Sequence, residues 1–414
     1  MPQATPLSLD DLLAASAPGG GTSLSSITPL KPAGGAGAVV APARVVDGKQ
    51  PTYAFERRME IDPKSGTMET VYTVIIDAKQ SVGNRDEDAI VTARRDESTP
   101  EGKALRQVPT VQVRYGEESW SDLTLPHRVF DGHIRAASQD GTPVTKLDAY
   151  RAIRNATKLN ARALLDAAPT SLVWGAWDST RKSHQGRYQT CLVGEVIGVL
   201  ADQDRDPHSR PNKRAAARLD PVATSVKLDT RTVEELLQAQ AEELSPNLQK
   251  KIRAEAKKKG AQGSSMSTLG LGNISPSLEG LGGVACRSIT RRRVLSFAAL
   301  RQLRFGGSAK SDTAARALLA AYGLLGMALS DRELYLRANC DLVEAGLPIV
   351  SLDQRFGNKK KLAPITVEVA LRLFEDALAH AERHAGVEWR GQILEFEGNP
   401  KIVQAASNDD PEEN

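Results

Sequence analysis

Val71–Arg95 runs VYTVIIDAKQSVGNRDEDAIVTARR, and its two halves call for different backbones. Through Ala78 the run is β-branched and apolar, which suits a pleated, buried surface, so Val71–Ala78 predicts a strand. From Lys79 onward polar residues dominate. Ser81 and Asn84 are natural N-caps, and Glu87 follows Asn84 by three, so a helix is predicted to start here. One strand feeding directly into one helix sets the theme for the rest of the chain.

Working outward, VQVRYG (Val111–Gly116) predicts a second short strand and Lys146–Ala168 a helix. SLVWGAW (Ser171–Trp177) and CLVGEVIGVLA (Cys191–Ala201) predict strands on either side of a basic, aromatic stretch. Ser311–Leu329 is apolar on nearly all sides and predicts a buried helix. RELYLRANCDLV (Arg332–Val343) predicts a strand. Ile365–Ala385 predicts an amphipathic helix with Leu371, Phe374, Leu378 and Ala381 on one face. Strands and helices alternate irregularly with long insertions, so an α+β sheet with helices on one face is expected.

Residues 1–52 are rich in Gly, Ala and Pro and are expected to form loops or a loosely ordered arm. Residues 228–263 predict a helical basic insertion, with Thr232 and Glu235 in a capping-box pattern. Residues 264–294 predict a Gly/Arg-rich loop. Residues 401–414 form an acidic tail, and residues 53–400 hold the main body.

The chain has 414 residues, 40% hydrophobic and 25% charged, with a formal net charge of +3, so no global charge demands a nucleic-acid partner. The three cysteines, Cys191, Cys286 and Cys340, are far apart and form no CxxC pair, which suits a reducing cytoplasm. The opening MPQATPLSLDDLLAAS lacks the basic start and apolar core of a signal peptide. A cytoplasmic protein is expected.

Candidate chemistry separates into weak and strong patterns. His380 and His384 have chelating i, i+4 spacing, but HAERH lacks the metalloprotease glutamate, and a solvated helix face explains it better. Asp202–His208 fails as a calcium loop because Pro207 stands where glycine is required. GLGNIS carries too few glycines for a dinucleotide fingerprint. No catalytic residue, metal or cofactor is expected.

The stretch WGAWDSTRKSHQGRYQ (Trp174–Gln189) gathers Ser179, His184 and Asp178, yet a triad draws its members from distant segments. Its Arg181, Lys182 and Arg187 interleaved with Trp174, Trp177 and Tyr188 fit single-stranded nucleic acid better, with cations for phosphates and rings for bases. The strongest signal is Gly280–Ser311. It holds no Asp or Glu, yet carries Arg287, Arg291, Arg292, Arg293, Arg301, Arg304 and Lys310. Arginine suits phosphate and stacks on bases, so polyanion binding is expected there.

Five motifs occur in order: Ile76–Ile90, Thr124–Ala137, Leu172–Val199, Leu295–Phe305 and Tyr335–Val350. Together they resemble the RAMP-superfamily backbone subunit of type I-U (I-G) CRISPR Cascade complexes, over about Tyr53 to Trp389. The family's first motif runs closer to IDSxQSxANR, so Ala78 and Gly83 are small departures. The resemblance implies a ferredoxin-like, RRM-related palm with inserted finger and thumb elements, and no catalysis. It implies copies stacked in a homo-oligomeric filament along one guide RNA (crRNA), which the filament presents for pairing with target DNA. Other Cascade subunits, one at the guide end and one large, are implied partners.

Such a protein must accept any spacer, so contacts to the sugar–phosphate backbone are expected. The residues assigned to it are Gln80, Ser81, Asn84, Arg85, His127, Arg128, Arg181, Lys182, His184, Gln185, Arg187, Arg291, Arg292, Arg293 and Arg304. Arg291–Arg293 would lie in a mobile thumb folding over RNA. The rival within the superfamily is an endoribonuclease that cuts bound target RNA through a loop aspartate, Asp178 or Asp131, and a metal ion. A hydrolase using Ser179 and His184 is the rival from another class.

Overall fold

The computed structural model describes residues 4–48, 50–61, 66–178, 180, 186–204, 207, 213–216, 226–259, 264–265, 269–271 and 277–406. The chain divides into two compact units, residues 1–211 with 283–398 and residues 212–282 with 399–414.

The first unit is built on an eight-stranded sheet: β1 (Ser23–Pro32), β2 (Phe55–Ile61), β3 (Met68–Asp77), β4 (Leu192–Leu200), β5 (Cys286–Ser296), β6 (Leu342–Glu344), β7 (Ile349–Asp353) and β8 (Lys359–Leu362). The spatial order is β8-β7-β1-β5-β4-β3-β2, with β6 also beside β1, and every pairing is antiparallel. Its principal helices are α1 (Leu9–Ser16), α2 (Lys79–Arg95), α3 (Pro100–Arg106), α4 (Ala309–Glu333) and α5 (Val367–Ala385). The mixed α+β architecture matches the expectation from the sequence.

Val71–Asp77 is the buried part of β3, as its β-branched run predicts, and α2 follows one residue later. However, the helix begins at Lys79 with Ala78 at its N-cap, so Ser81 and Asn84 lie inside it and cap nothing. Buried α4 packs against α5, α2 and α1, with Leu318, Leu319, Tyr322, Leu324 and Leu325 at 0% exposure. Among the described residues it alone is long and apolar enough to cross a membrane, and 94% of its most apolar window is buried inside the protein.

Residues 1–52 are not the loop-rich arm that their composition suggests. Ser8 caps α1, accepting the Asp11 N–H. Then β1 runs through the middle of the sheet between β7 and β5, burying Leu24 and Leu30. Pro29 is tolerated in this central strand because of where it sits. β7 pairs with Leu24–Ile27 and β6 with Leu30–Pro32, so the missing N–H of Pro29 falls between the two ladders.

Three further expectations change. Ser171–Trp177 is not one strand: Thr170–Val173 is a helical turn, and only Ala176–Trp177 pairs, with Arg187–Tyr188. Arg332–Val343 begins as the end of α4, and pairing resumes only at β6. Lys146–Ala168 breaks into the helices Asp148–Asn155 and Arg162–Ala167. Val111–Gly116 does enter a strand, Thr110–Tyr115, but in a separate five-stranded sheet beside Ile393–Glu397.

The second unit centres on the helices Thr230–Ala239 and Pro246–Lys259, which pack Val233, Leu237, Ile252 and Ala256. Asp229, not Thr232, caps the first of them by accepting the Thr232 N–H at 2.9 Å.

Candidate nucleic-acid interface

The residues assigned to one binding surface fall into three groups. The first surrounds a groove of about 540 Å³ beside the start of α2. Lys79, Gln80, Asn84, Glu87 and Asp88 line it from the helix, Leu123–Pro126 and Arg128 from the loop after the strand Glu118–Ser121, and Trp174, Thr190 and Val193 from the far wall. A shallower pocket of about 290 Å³ continues from it, sharing Pro126, Arg128, Trp174 and Thr190 and adding His127, Trp177 and Tyr188. Gln80, Asn84 and His127 are exposed along this surface.

Its outer end carries an exposed cation–π pair. The Arg187 guanidinium lies 4.9 Å from the centre of the Trp177 ring, and Trp177 is 55% exposed. The two residues are cross-strand partners, so the pleat holds them side by side. Gly175 makes the turn into this hairpin at φ +83°, where any Cβ would come within 2.8 Å of the Tyr188 carbonyl oxygen.

Arg128 lines the groove but is spoken for. Its Nε and Nη2 donate to the two carboxylate oxygens of Glu87 at 2.6 and 2.7 Å, and Nη1 donates to the Gly175 carbonyl at 2.9 Å. Burial pushes the Glu87 carboxyl up, and Arg128 offsets this only in part. Arg128 therefore shapes the groove wall, and this corrects its assignment as a phosphate ligand.

The second group is turned away from the groove. Ser81 Oγ donates to Asp77 at 2.7 Å, and Arg85 Nε donates to the same fully buried carboxylate at 2.8 Å. Arg85 also donates to the Tyr335 carbonyl, on the other side of α2.

The third group, the arginine block, is the largest correction. Cys286–Ser296 is central strand β5, not a mobile thumb, and the period of two splits Arg291–Arg293 between opposite faces. Arg291 and Arg293 point inward and are each 4% exposed. Arg293 Nη2 lies 2.5 Å from Asp331 and 3.1 Å from Asp86, while Arg291 pairs with Asp331 at 3.3 Å and Glu344 at 2.7 Å. Burial opposes the Arg293 charge, but the two carboxylates outweigh it and hold its pKa above the usual value. Asp86, fully buried and sharing its arginine with Asp331, is pushed up to about 6 by burial. Only Arg292 faces out, paired across the strands with Glu195. Arg304 donates to Asp312 at 3.3 Å and is not among the residues that line the groove or its extension.

Arg181, Lys182, His184 and Gln185, with Ser179, lie outside the described residues. Asp131 accepts the backbone N–H groups of His133 and His127 at 2.9 and 3.1 Å. Asp178 is 2% exposed, with Arg135 at 3.7 Å and Thr180 donating to it at 3.3 Å. The His380 and His384 rings lie tilted at 45° to one another with centres 4.3 Å apart. Among the described residues no group of three or more His, Cys, Asp or Glu could hold a metal ion. Lys79 was missed by sequence reasoning, although it adjoins Gln80 at the exposed first turn of the helix.

Residues 24–203 match the family model described as CRISPR-associated protein GSU0053 (Cas_GSU0053). The match covers less than half of the 414 residues, and it supports a CRISPR-associated protein. No curated protein matches the chain. Every residue lining the groove and its extension falls inside the matched segment, whereas Arg291–Arg293 and Arg304 fall outside it.

Proposed function

We propose that this protein is a non-catalytic subunit of a Cascade-type CRISPR effector in antiviral defence, one of several copies that hold a crRNA by its sugar–phosphate backbone. The observation that carries this reading is the exposed Arg187–Trp177 pair beside a groove lined by Lys79, Gln80 and Asn84 and its shallow extension lined by His127. Cations and amides can serve phosphates and ribose, while one open indole face accepts any base, which suits a protein indifferent to sequence.

The chain path supports an RRM-related palm. β1, α2, β4, β5, α4 and β7 follow one another in a β-α-β-β-α-β sequence with spatial order β7-β1-β5-β4, the ferredoxin-like arrangement. The remaining strands and the second unit are then insertions and a C-terminal extension. Asp131 and Asp178 are engaged by local contacts, so the geometry favours binding over cleavage.

The test is fluorescence anisotropy of the full-length protein with labelled single-stranded RNAs of unrelated sequence at several salt concentrations. Equal affinities within about threefold, falling with salt, are expected. Absence of binding at low salt, or a preference above tenfold for one sequence, would refute the reading.

A further inference from the structure

The β7–β8 hairpin ends in an exposed aromatic knob. Arg355, Phe356 and Gly357 occupy the left-handed region at φ +69°, +52° and +82°, and Phe356 is 97% exposed. Left-handed backbone is unfavourable for a bulky side chain, so this presentation must be held by its surroundings. It is: Gln354 N–H donates to Asn358 O, Asn358 N–H to Arg355 O, and Arg355 N–H to Asp353 Oδ1, each at 2.9–3.0 Å. The knob is also basic. Arg355, Lys359 and Lys361 are exposed around it, while Lys360 is paired with Asp11 and the Asp353 carboxylate is taken by Thr22.

The same unit carries a complementary groove of about 430 Å³ between α2, the start of α3 and the end of α4. Its floor includes Ala89, Ala93 and Leu329, and Asp88, Asp96 and Glu333 stand around it. Its cations are already satisfied: Arg85 is held by Asp77, and Arg332 by Glu101 and Glu333. Asp88 makes no ion pair among the described residues, which leaves the rim acidic. The volume exceeds that of a phenylalanine side chain, and its sign is opposite to that of the knob.

We infer that the Phe356 hairpin tip of one copy seats in the α2–α4 groove of a second copy of this chain. Tip and groove are different surfaces of one molecule, so the contact is heterologous and repeats head to tail instead of closing on itself. An aromatic anchor inside an acidic rim, approached by three cations, combines a buried contact with electrostatic steering. This deepens the multi-copy reading above and rests on it, yet its measurement contains no RNA, so failure of RNA binding and failure of this contact are distinguishable.

The experiment is sedimentation velocity of the full-length protein across a concentration series. Wild type is expected to form a ladder of species. Phe356→Ala, which removes the knob, and Asp88→Lys/Thr92→Lys, which reverses an exposed part of the groove, should each weaken association at least about 30-fold. An equimolar mixture of the two variants retains one intact tip and one intact groove, so it should form dimers at wild-type strength and stop there. Wild type that stays monomeric, either variant associating like wild type, or a mixture that fails to dimerise would overturn the inference. So would a Phe356→Ala protein that associates normally but binds a short RNA more weakly, because the knob would then be a base-stacking site.

Discussion

Arg293→Met separates a strut from a ligand. Arg293 is 4% exposed and is the cation that both Asp86 and Asp331 share, at 3.1 and 2.5 Å. Methionine keeps much of the stem but leaves a fully buried carboxylate without its counter-charge. Breaking a buried pair from one side costs about 3–5 kcal/mol, so a loss of that size is expected at pH 7.5. The pH dependence has a definite sign. Asp86 titrates at about 6 in the folded protein against 3.8 in the reference state, chiefly through burial, and Arg293 is the main influence pulling it down. Stability linked to its proton is complete below about pH 3.8 and is lost as pH rises through 6. Without Arg293 the folded value climbs further, so Asp86 is neutral at pH 5 and the variant's deficit shrinks there. Urea denaturation at both pH values measures this, and Trp174 is a built-in reporter because its indole N–H donates to Asp86 at 3.4 Å. RNA binding by the folded variant should keep the wild-type salt slope. A deficit below about 1 kcal/mol together with a flatter salt slope would show that Arg293 meets RNA after all.

The remaining predictions concern the groove, a second buried acid and the rival chemistry. Trp177→Ala should weaken binding of every RNA sequence alike, by the roughly 1–3 kcal/mol of one stacked base, or about 5- to 150-fold in anisotropy. Arg187→Ala should lower the salt slope by about 0.7, and an unchanged slope would remove Arg187 from the phosphates. Asp122 is fully buried, with one oxygen on the Val111 N–H and its pKa pushed up to about 7 by burial; holding it ionised above that costs about 4 kcal/mol. Stability should therefore decline between pH 4 and 7, and Asp122→Asn should gain about 1–3 kcal/mol at pH 8 after the cost of an unpaired amide. A variant no more stable than wild type at pH 8 refutes this. Labelled complementary RNA incubated with the assembled complex and Mg²⁺ should stay intact, and regular cuts abolished by Asp178→Ala would establish the nuclease instead.

What could be seen in the sequence follows from the range of the interactions involved. β3, α2 and α4 are legible because local pattern decides them: a β-branched run, a polar switch and an unbroken apolar helix. β1 is not, because SLSSITPLKP hides its alternation behind small and polar residues, and its Pro29 is acceptable only through a gap between two partner strands. The groove is half legible. Gln80, Asn84 and His127 can be picked out by motif, whereas the pairing of Arg187 with Trp177 depends on hairpin register. The arginine block shows the limit most sharply. A run without acids suggests a free cationic patch only while every carboxylate is assumed to be far away. Asp86 lies 207 residues before Arg293 and Asp331 lies 38 after it, and folding brings both to one guanidinium. Local charge composition therefore ranks arginines wrongly wherever a strand period buries them. The assignment turns on which carboxylate each one meets across the sheet.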